Sequence, residues 1–305
     1  MLKCRDNYII ITHSSPDGDT LGSGFALYYS LCKIGKNACL LCPEDIPKKY
    51  NYFTCITEPI TENYTVIAVD VASTSLMGHL EEKYGRDVYL CIDHHKSNSG
   101  YSENLLLDVN AAACCEIIYR LICELEIPLD DITASALYTG ISTDTGCFKY
   151  GNVTKDTHII ASKLYEYNLN AADINRIMFD TKSPALLELE RMVLEGAEYH
   201  FDGKCMLLCI TKEMQNSTGC TGTELEGIAS ISRCVQGVLI GVTIKQIEKN
   251  EFKISLRTYP PVDASKICVK LGGGGHTAAA GATLKGNLEY VKSTVLALVK
   301  DAVGE

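Results

Sequence analysis

The chain has 305 residues, 46% of them hydrophobic and 22% charged, enough for two domains of ordinary size. Its net charge of −10 disfavours long nucleic acid as a partner, because that affinity rests on neutralising phosphates. The charge is uneven: residues 1–202 carry −13 and residues 203–305 carry +3, which suits an acidic, metal-holding first half and a second half that receives a short anion.

No run of about 18 apolar residues occurs, so no membrane span is expected. The opening Met1-Leu2-Lys3-Cys4-Arg5-Asp6 does not read as a signal peptide, since the apolar run after it is short. Fifteen cysteines lie mostly in apolar segments. They read as small core residues of a protein in a reducing cytoplasm. Cys39 and Cys42 have CxxC spacing, but the run around them is strand-like, and residues three apart on a strand face opposite sides.

The first half alternates strand and helix. Tyr8–Thr12 is an apolar strand that stops at His13, and a turn on Pro16 and Gly18 follows with Asp17 and Asp19. Residues 20–34 form a helix, with Asp19 available as its cap. Residues 38–42, 65–70 and 88–93 are three more strands; the third ends on Asp70 and the fourth runs into Asp93-His94-His95. Near-continuous apolar runs separated by helices predict a parallel sheet covered on both faces, with ligands beyond its carboxyl ends. Helices are expected over 113–126, 131–142, 154–168 and 171–179, with 140–146 a turn of small residues carrying Asp144. Ser183-Pro184 opens a long helical pattern to about Tyr199.

In the second half, residues 206–211 are a strand and 223–235 a helix. Residues 238–247 and 251–258 form a hairpin. Residues 262–271 are a helix stopped by Gly272-Gly273-Gly274-Gly275-His276, and 287–303 a closing helix. The division expected is 1–182 as an α/β metal-binding domain, 183–202 as a linker helix and 203–305 as a smaller α/β domain. No GxGxxG follows the first strand and no GK[ST] follows the glycine run, which excludes the usual nicotinamide and P-loop motifs.

His13, Asp17, Asp19, Asp70, His94 and Asp144 collect at strand ends, with His95 adjacent. Four carboxylates together repel one another unless a cation lies among them. This set suits two octahedral divalent ions sharing one carboxylate, and an imidazole for each ion favours manganese over magnesium.

His13-x3-Asp17-x-Asp19, Asp70 after its strand, Asp93-His94-His95 and Gly140-Ile141-Ser142-Thr143-Asp144-Thr145-Gly146 resemble the four successive motifs of the DHH phosphoesterase superfamily. Arg257 in Ser255-Leu256-Arg257 and the Gly272–His276 run resemble its associated DHHA1 domain. The match spans nearly the whole chain, and it is similar to the subfamily of bifunctional oligoribonucleases that are also pAp phosphatases. The resemblance implies an N-terminal parallel-sheet DHH domain, a C-terminal DHHA1 domain and an active site in the cleft between them. It implies two ions, Mn2+, one on His13, Asp17 and Asp70 and the other on Asp19, Asp70, His94 and Asp144. A hydroxide activated by both would attack phosphorus in line. His95 would contact the scissile phosphate or protonate the leaving oxygen, and Asp93 would orient a histidine. Arg257, Gly273, Gly274, Gly275 and His276 would bind substrate.

The implied substrates are very short RNA, cut to nucleoside monophosphates, and pAp. Two alternatives stay open: a phosphodiesterase for c-di-AMP or pApA, and a non-enzymatic metal- or nucleotide-binding protein. Type II inorganic pyrophosphatases share the first four motifs, but the GGGGH run is not expected of them. Homodimers are common in the family, so a second copy of the chain is one partner to test. The chain departs from the family at Cys114-Cys115, where a Ser or Thr is usual just before Glu116, so no hydroxyl contact to substrate is expected from that turn. His79, His158 and His200 read as structural.

Overall fold

The computed structural model describes residues 2–53, 58, 60–220 and 222–304, with only the backbone of 222–224 and 226. It divides into two compact units, one up to Thr181 and one from Lys182. The first contains β1 (Tyr8–Ile11), α1 (Gly18–Lys33), β2 (Ala38–Leu41), β3 (Thr65–Val69), α2 (Glu81–Tyr84), β4 (Val88–Asp93), β5 (Asn104–Leu107), α3 (Cys114–Glu124), α4 (Asp131–Asp144), α5 (Lys155–Leu164) and α6 (Ala171–Asn175).

Its sheet is all parallel, in the order β2-β1-β3-β4-β5. Alternate residues go to opposite faces. Tyr8, Ile10, Ile67, Val69, Leu90 and Ile92 join a core with residues of α1, α3 and α4. Ile9, Ile11, Val66, Ala68 and Cys91 join a second core with Met77 and Tyr84. Burial on both sides is why these strands read as unbroken apolar runs. The chain order reverses between β1 and β3, and in such a sheet the crevice for a ligand opens there. Thus His13 and Asp70, just beyond those two strands, stand at the switch point.

The second unit contains α7 (Pro184–Glu195), β6 (Glu198–His200), β7 (Cys205–Ile210), α8 (Lys212–Thr218), a 3-10 segment (Gly222–Cys234), β8 (Ile240–Glu248), β9 (Glu251–Thr258), α9 (Ala264–Lys270), β10 (Gly274–His276), β11 (Ala279–Lys285) and α10 (Leu288–Val303). Its sheet runs β10-β11-β9-β8-β7-β6, antiparallel except for β7 beside β8. One face packs Val242, Ile254 and Leu256 on Val291, Val295 and Val299 of α10. The other packs Met206, Leu208 and Ile210 on Leu186, Leu189 and Val193 of α7. The helix expected as a linker is therefore anchored in this unit's core.

Several local expectations change. The 140–146 stretch is not a turn: α4 runs through Gly140 and ends on Asp144. The cap of α1 is Asp17, whose Oδ1 accepts from the N–H of Asp19 (3.0 Å) and Thr20 (3.1 Å); Asp19 lies inside the helix. The helix from Pro184 stops at Gly196, so Tyr199 sits in β6. The 222–234 segment is 3-10 rather than α-helical. The glycine run leads into a strand, since Gly274–His276 is β10, an edge strand. No helix among the described residues is long and apolar enough to cross a membrane.

Candidate metal centre

The centre of the cluster is Asp70, 2% exposed, directly after β3. Its backbone is left-handed (φ +59°), a conformation that costs most residues free energy. Its N–H is pinned to the Ile92 carbonyl at 2.8 Å, so the sheet holds the kink. Asp70 Oδ2 lies 3.6 Å from His13 Nε2, and Oδ1 lies 3.6 Å from His94 Nε2. Oδ1 is buried and has no hydrogen-bond partner among the described residues. An orphaned buried carboxylate oxygen is costly, and a cation removes the cost.

Three overlapping triads lie here: His13-Asp17-Asp70, Asp19-His94-Asp144 and Asp70-His94-His95. His13, Asp17 and Asp70 offer donor atoms within 4.8 Å of one another, with His13 Nε2 3.7 Å from Asp17 Oδ1. Asp19, His94 and Asp144 form the second, with His94 Nε2 3.7 Å from Asp19 Oδ2 and 3.5 Å from Asp144 Oδ2. These separations are too long for hydrogen bonds. They are close to the roughly 3 Å that separates neighbouring ligands each about 2.1 Å from an octahedral cation. The donor set therefore fits divalent metal. Burial, then the charges of Asp19, Asp17 and Asp144, push the Asp70 carboxyl well above the usual carboxylate range. Burial, then Asp19 and Asp17, do the same to Asp144.

The supports are specific. The Thr20 hydroxyl donates to the Val69 carbonyl (3.2 Å) and accepts from the His13 N–H (3.3 Å), tying α1 to the ends of β1 and β3. His94 Nδ1 is 3.2 Å from the Ala111 carbonyl, which leaves Nε2 for the cluster. Asp19, 1% exposed, accepts from the N–H groups of Cys114 (2.6 Å, Oδ2) and Cys115 (2.9 Å, Oδ1) at the start of α3. A helix N-terminus favours a carboxylate there. Sequence reasoning missed this contact, because it is made by backbone and spans 95 residues. Both thiols are buried, and Glu116 takes its hydrogen bond from Thr157 Oγ1 at 2.6 Å.

His95 belongs to the third triad, with Nδ1 2.8 Å from Asp93 Oδ1 and 3.4 Å from Asp70 Oδ1. It is 37% exposed, unlike fully buried Asp93. The bond to Asp93 raises the His95 imidazole above its usual value. Burial alone would raise Asp93, but the bonds from His95 and Asn98 outweigh it and hold that carboxyl low. Among the described residues no cysteine joins a metal-binding group; Cys39 is buried and Cys42 half-buried, both free thiols.

In the second unit, Arg257 on β9 lies across from Ala279 on β11. Arg257, Gly274 and Gly275 line one cavity of about 380 Å³, together with Lys245, Lys253 and Thr243. The cavity's lining does not include Gly273 or His276, which flank β10 and end it. Gly275 has φ +140°, and a Cβ there would sit 2.5 Å from Ala280 Cα, so the close β10–β11 pairing requires glycine.

The model of the DHH family, N-terminal domain, matches residues 7–141, and that of the DHHA1 domain matches 206–305. A Thermus thermophilus protein, the bifunctional oligoribonuclease and PAP phosphatase NrnA, is 31% identical over 96% of this chain and 89% of its own. The probable NrnA of Streptococcus mutans is 27% identical over 92% and 90%. An exopolyphosphatase-related protein from Bacteroides fragilis shares the fold, with a TM-score of 0.90 at 23% identity over 98% of this chain and 93% of that one. His13, Asp17, Asp19, Asp70 and His94 fall within the residues matched by the DHH model, with Asp144 just beyond it, and the protein belongs to the DHH family, with a DHH domain followed by a DHHA1 domain.

Proposed function

We propose that this protein is a phosphoester hydrolase that works with two divalent cations, Mn2+, cutting very short oligoribonucleotides to nucleoside monophosphates and dephosphorylating pAp. The observation that carries this reading is the cluster of overlapping donor triads around Asp70, whose Oδ1 has no hydrogen-bond partner among the described residues. The names of the two relatives supply the substrate class, and the chain spans about nine-tenths of each.

His13, Asp17 and Asp70 would hold one cation, and Asp19, Asp70, His94 and Asp144 the other. One imidazole in each set favours Mn2+ over Mg2+. When bound, two such ions lower the pKa of water and take up charge on the phosphoryl oxygens. Asp70, with one oxygen toward His13 and the other toward His94, fixes the spacing of the two sets. As water's oxygen bonds to phosphorus, the bond to the departing oxygen breaks and that oxygen needs a proton. His95, its ring held by Asp93, is the group that supplies it. Arg257, Gly273 and the strand β10 that follows it are assigned to substrate phosphate, with Lys245 and Lys253 in the same cavity as Arg257.

Titration of the metal-free protein with Mn2+ is expected to show two ions per chain; one ion, or none, contradicts the reading. Saturation at about 100 times Kd contributes about 2.7 kcal/mol, or a Tm gain of roughly 5–10 °C for a unit of the size of the one that ends at Thr181. The gain has a pH sign. Asp70 and Asp144 are raised, so the metal-free native state binds more protons than the unfolded chain in the window upward from about pH 4. Its stability falls as pH rises through that window, and raised His95 adds the same sign from about pH 6.5 upward. The lowered carboxyls Asp17 and Asp93 act below about pH 4, outside it. The Mn2+-dependent Tm gain is therefore larger at pH 8 than at pH 6, and calorimetry reads this directly. Arg257→Ala is expected to raise KM for pAp about tenfold to a hundredfold with Mn2+ stoichiometry unchanged. Equal loss of both would indicate a collapsed unit.

A further inference from the structure

Asp93 has no exposed surface, yet its two oxygens take four donors. Oδ1 accepts from the His94 N–H (2.8 Å), the His95 N–H (3.2 Å) and His95 Nδ1 (2.8 Å). Oδ2 accepts from one donor among the described residues, the side-chain amide of Asn98, at 2.6 Å. Asn98 is itself held from both sides: its N–H donates to the His95 carbonyl (3.1 Å), and its Oδ1 accepts from the Gly100 N–H (2.8 Å). The loop after β4 thus folds back and closes on the carboxylate from which it departs.

This geometry decides how firmly His95 is aimed. An aspartate carboxylate turns about its Cβ–Cγ bond unless both oxygens are engaged. The two backbone donors and the imidazole all pull on Oδ1, and only Asn98 resists rotation from the Oδ2 side. If that amide is lost, Oδ2 becomes a buried acceptor with no partner and the carboxylate turns to seek one. The bond to His95 Nδ1 then lengthens or breaks. With Nδ1 bonded to Asp93, the nitrogen across the ring, Nε2, is the one presented to substrate. Once the bond is lost, a ring that is 37% exposed keeps, among the described residues, the edge-on His94 ring (centroids 4.6 Å apart) and Asp70, whose oxygen is needed by the cluster, and neither bonds Nδ1 as Asp93 does.

We propose that Asn98 is a positioning residue for the reaction: it locks the Asp93 carboxylate, and through it the ring of His95. The proposal rests on the reading of His95 as the group that meets the leaving oxygen. Loss of aim at a proton donor costs turnover rather than binding, because the interaction is made fully only in the transition state.

The test uses the full chain with saturating Mn2+ and pApA as substrate, comparing wild type, Asn98→Ala, His95→Gln and the double variant. Asn98→Ala is expected to lower kcat about tenfold to a hundredfold, with KM changed less than about threefold. In the His95→Gln background the same change is expected to cost less than about twofold, because the residue it acts through is gone. Equal fold-losses in both backgrounds would show a merely structural role and overturn the proposal. A second readout needs neither turnover nor metal. In the 15N-histidine spectrum of the metal-free protein, the Nδ1–H of His95 is expected as a protected, downfield proton that is lost in Asn98→Ala. A His95→Gln variant with wild-type kcat would overturn the role of His95, and with it any catalytic consequence of Asn98. A normal loss in His95→Gln, combined with an unaltered Nδ1–H signal in Asn98→Ala, would overturn the Asn98 proposal alone.

Discussion

Asp70→Asn is expected to remove at least roughly 10³-fold from kcat/KM, about 4 kcal/mol of transition-state stabilisation, while making the metal-free protein more stable. The two effects share one cause. The carboxylate is buried among Asp19, Asp17 and Asp144, and its Oδ1 lacks a hydrogen-bond partner among the described residues. Without a cation this is an unfavourable place for negative charge. Asparagine keeps the shape and tolerates the left-handed backbone at this position. It removes the charge that is costly when no cation is bound, and a gain of about 1 kcal/mol is the size expected from relieving such a site. The same substitution takes from both cation sets the carboxylate they share. The Mn2+-dependent rise in Tm should therefore shrink sharply. Calorimetry with and without Mn2+, beside turnover of pAp, checks both signs. A variant that is less stable without metal, or that keeps its turnover, would show that Asp70 is an ordinary core residue.

Gly140→Ala carries the second large effect, and here two principles oppose each other. Alanine in a helix interior is favoured over glycine by roughly 1 kcal/mol, which predicts stabilisation. The position, however, lies where α4 meets α1 and α3. A Cβ there would lie 2.2 Å from Cys115 Sγ, 2.9 Å from Asp19 Oδ1 and 3.1 Å from Asp19 Cα. Overpacking of this kind costs about 1–3 kcal/mol, so the clash should match or exceed the helix gain, with a net loss of up to about 2 kcal/mol and a Tm lower by up to roughly 8 °C. Because Asp19 is held by the N–H groups of Cys114 and Cys115, moving Cys115 moves a cation ligand. Activity should fall with stability. Cys115→Ala, added to the same chain, removes the sulfur nearest to the new Cβ and should recover much of both losses. No recovery would mean that the strain is set by the backbone of α1 rather than by the thiol.

Much of this arrangement could be read from the order of residues. Four of the five strands in the first unit are apolar runs of strand length, and three of them end in His13, Asp70 and Asp93-His94-His95, so periodicity alone brings those groups to one edge. What was not legible depended on contacts distant in sequence. Either Asp17 or Asp19 could cap α1; the choice of Asp17 follows from Asp19 being drawn into the N-terminus of α3. Gly140, Ser142 and Thr143 read as a turn because such residues favour turns, but packing of α4 against α1 keeps them helical. β11, Ala279-Ala280-Gly281-Ala282-Thr283-Leu284-Lys285, has little strand propensity of its own and is held by its full pairing with β9. β5, with three leucines in a row, gave too short a signal to separate from a loop. Asn98 carried no motif at all; its importance appears only once Asp93 is seen to be buried.

The most direct test of the central claim is a comparison of kcat/KM, with Mn2+, for pAp, pApA, c-di-AMP, a five-residue RNA and inorganic pyrophosphate. The two-cation nucleotide reading predicts that pAp and the short RNA are turned over best, with activity lost on chelation and restored by Mn2+. Exclusive cleavage of pyrophosphate, or turnover indifferent to metal, would contradict it.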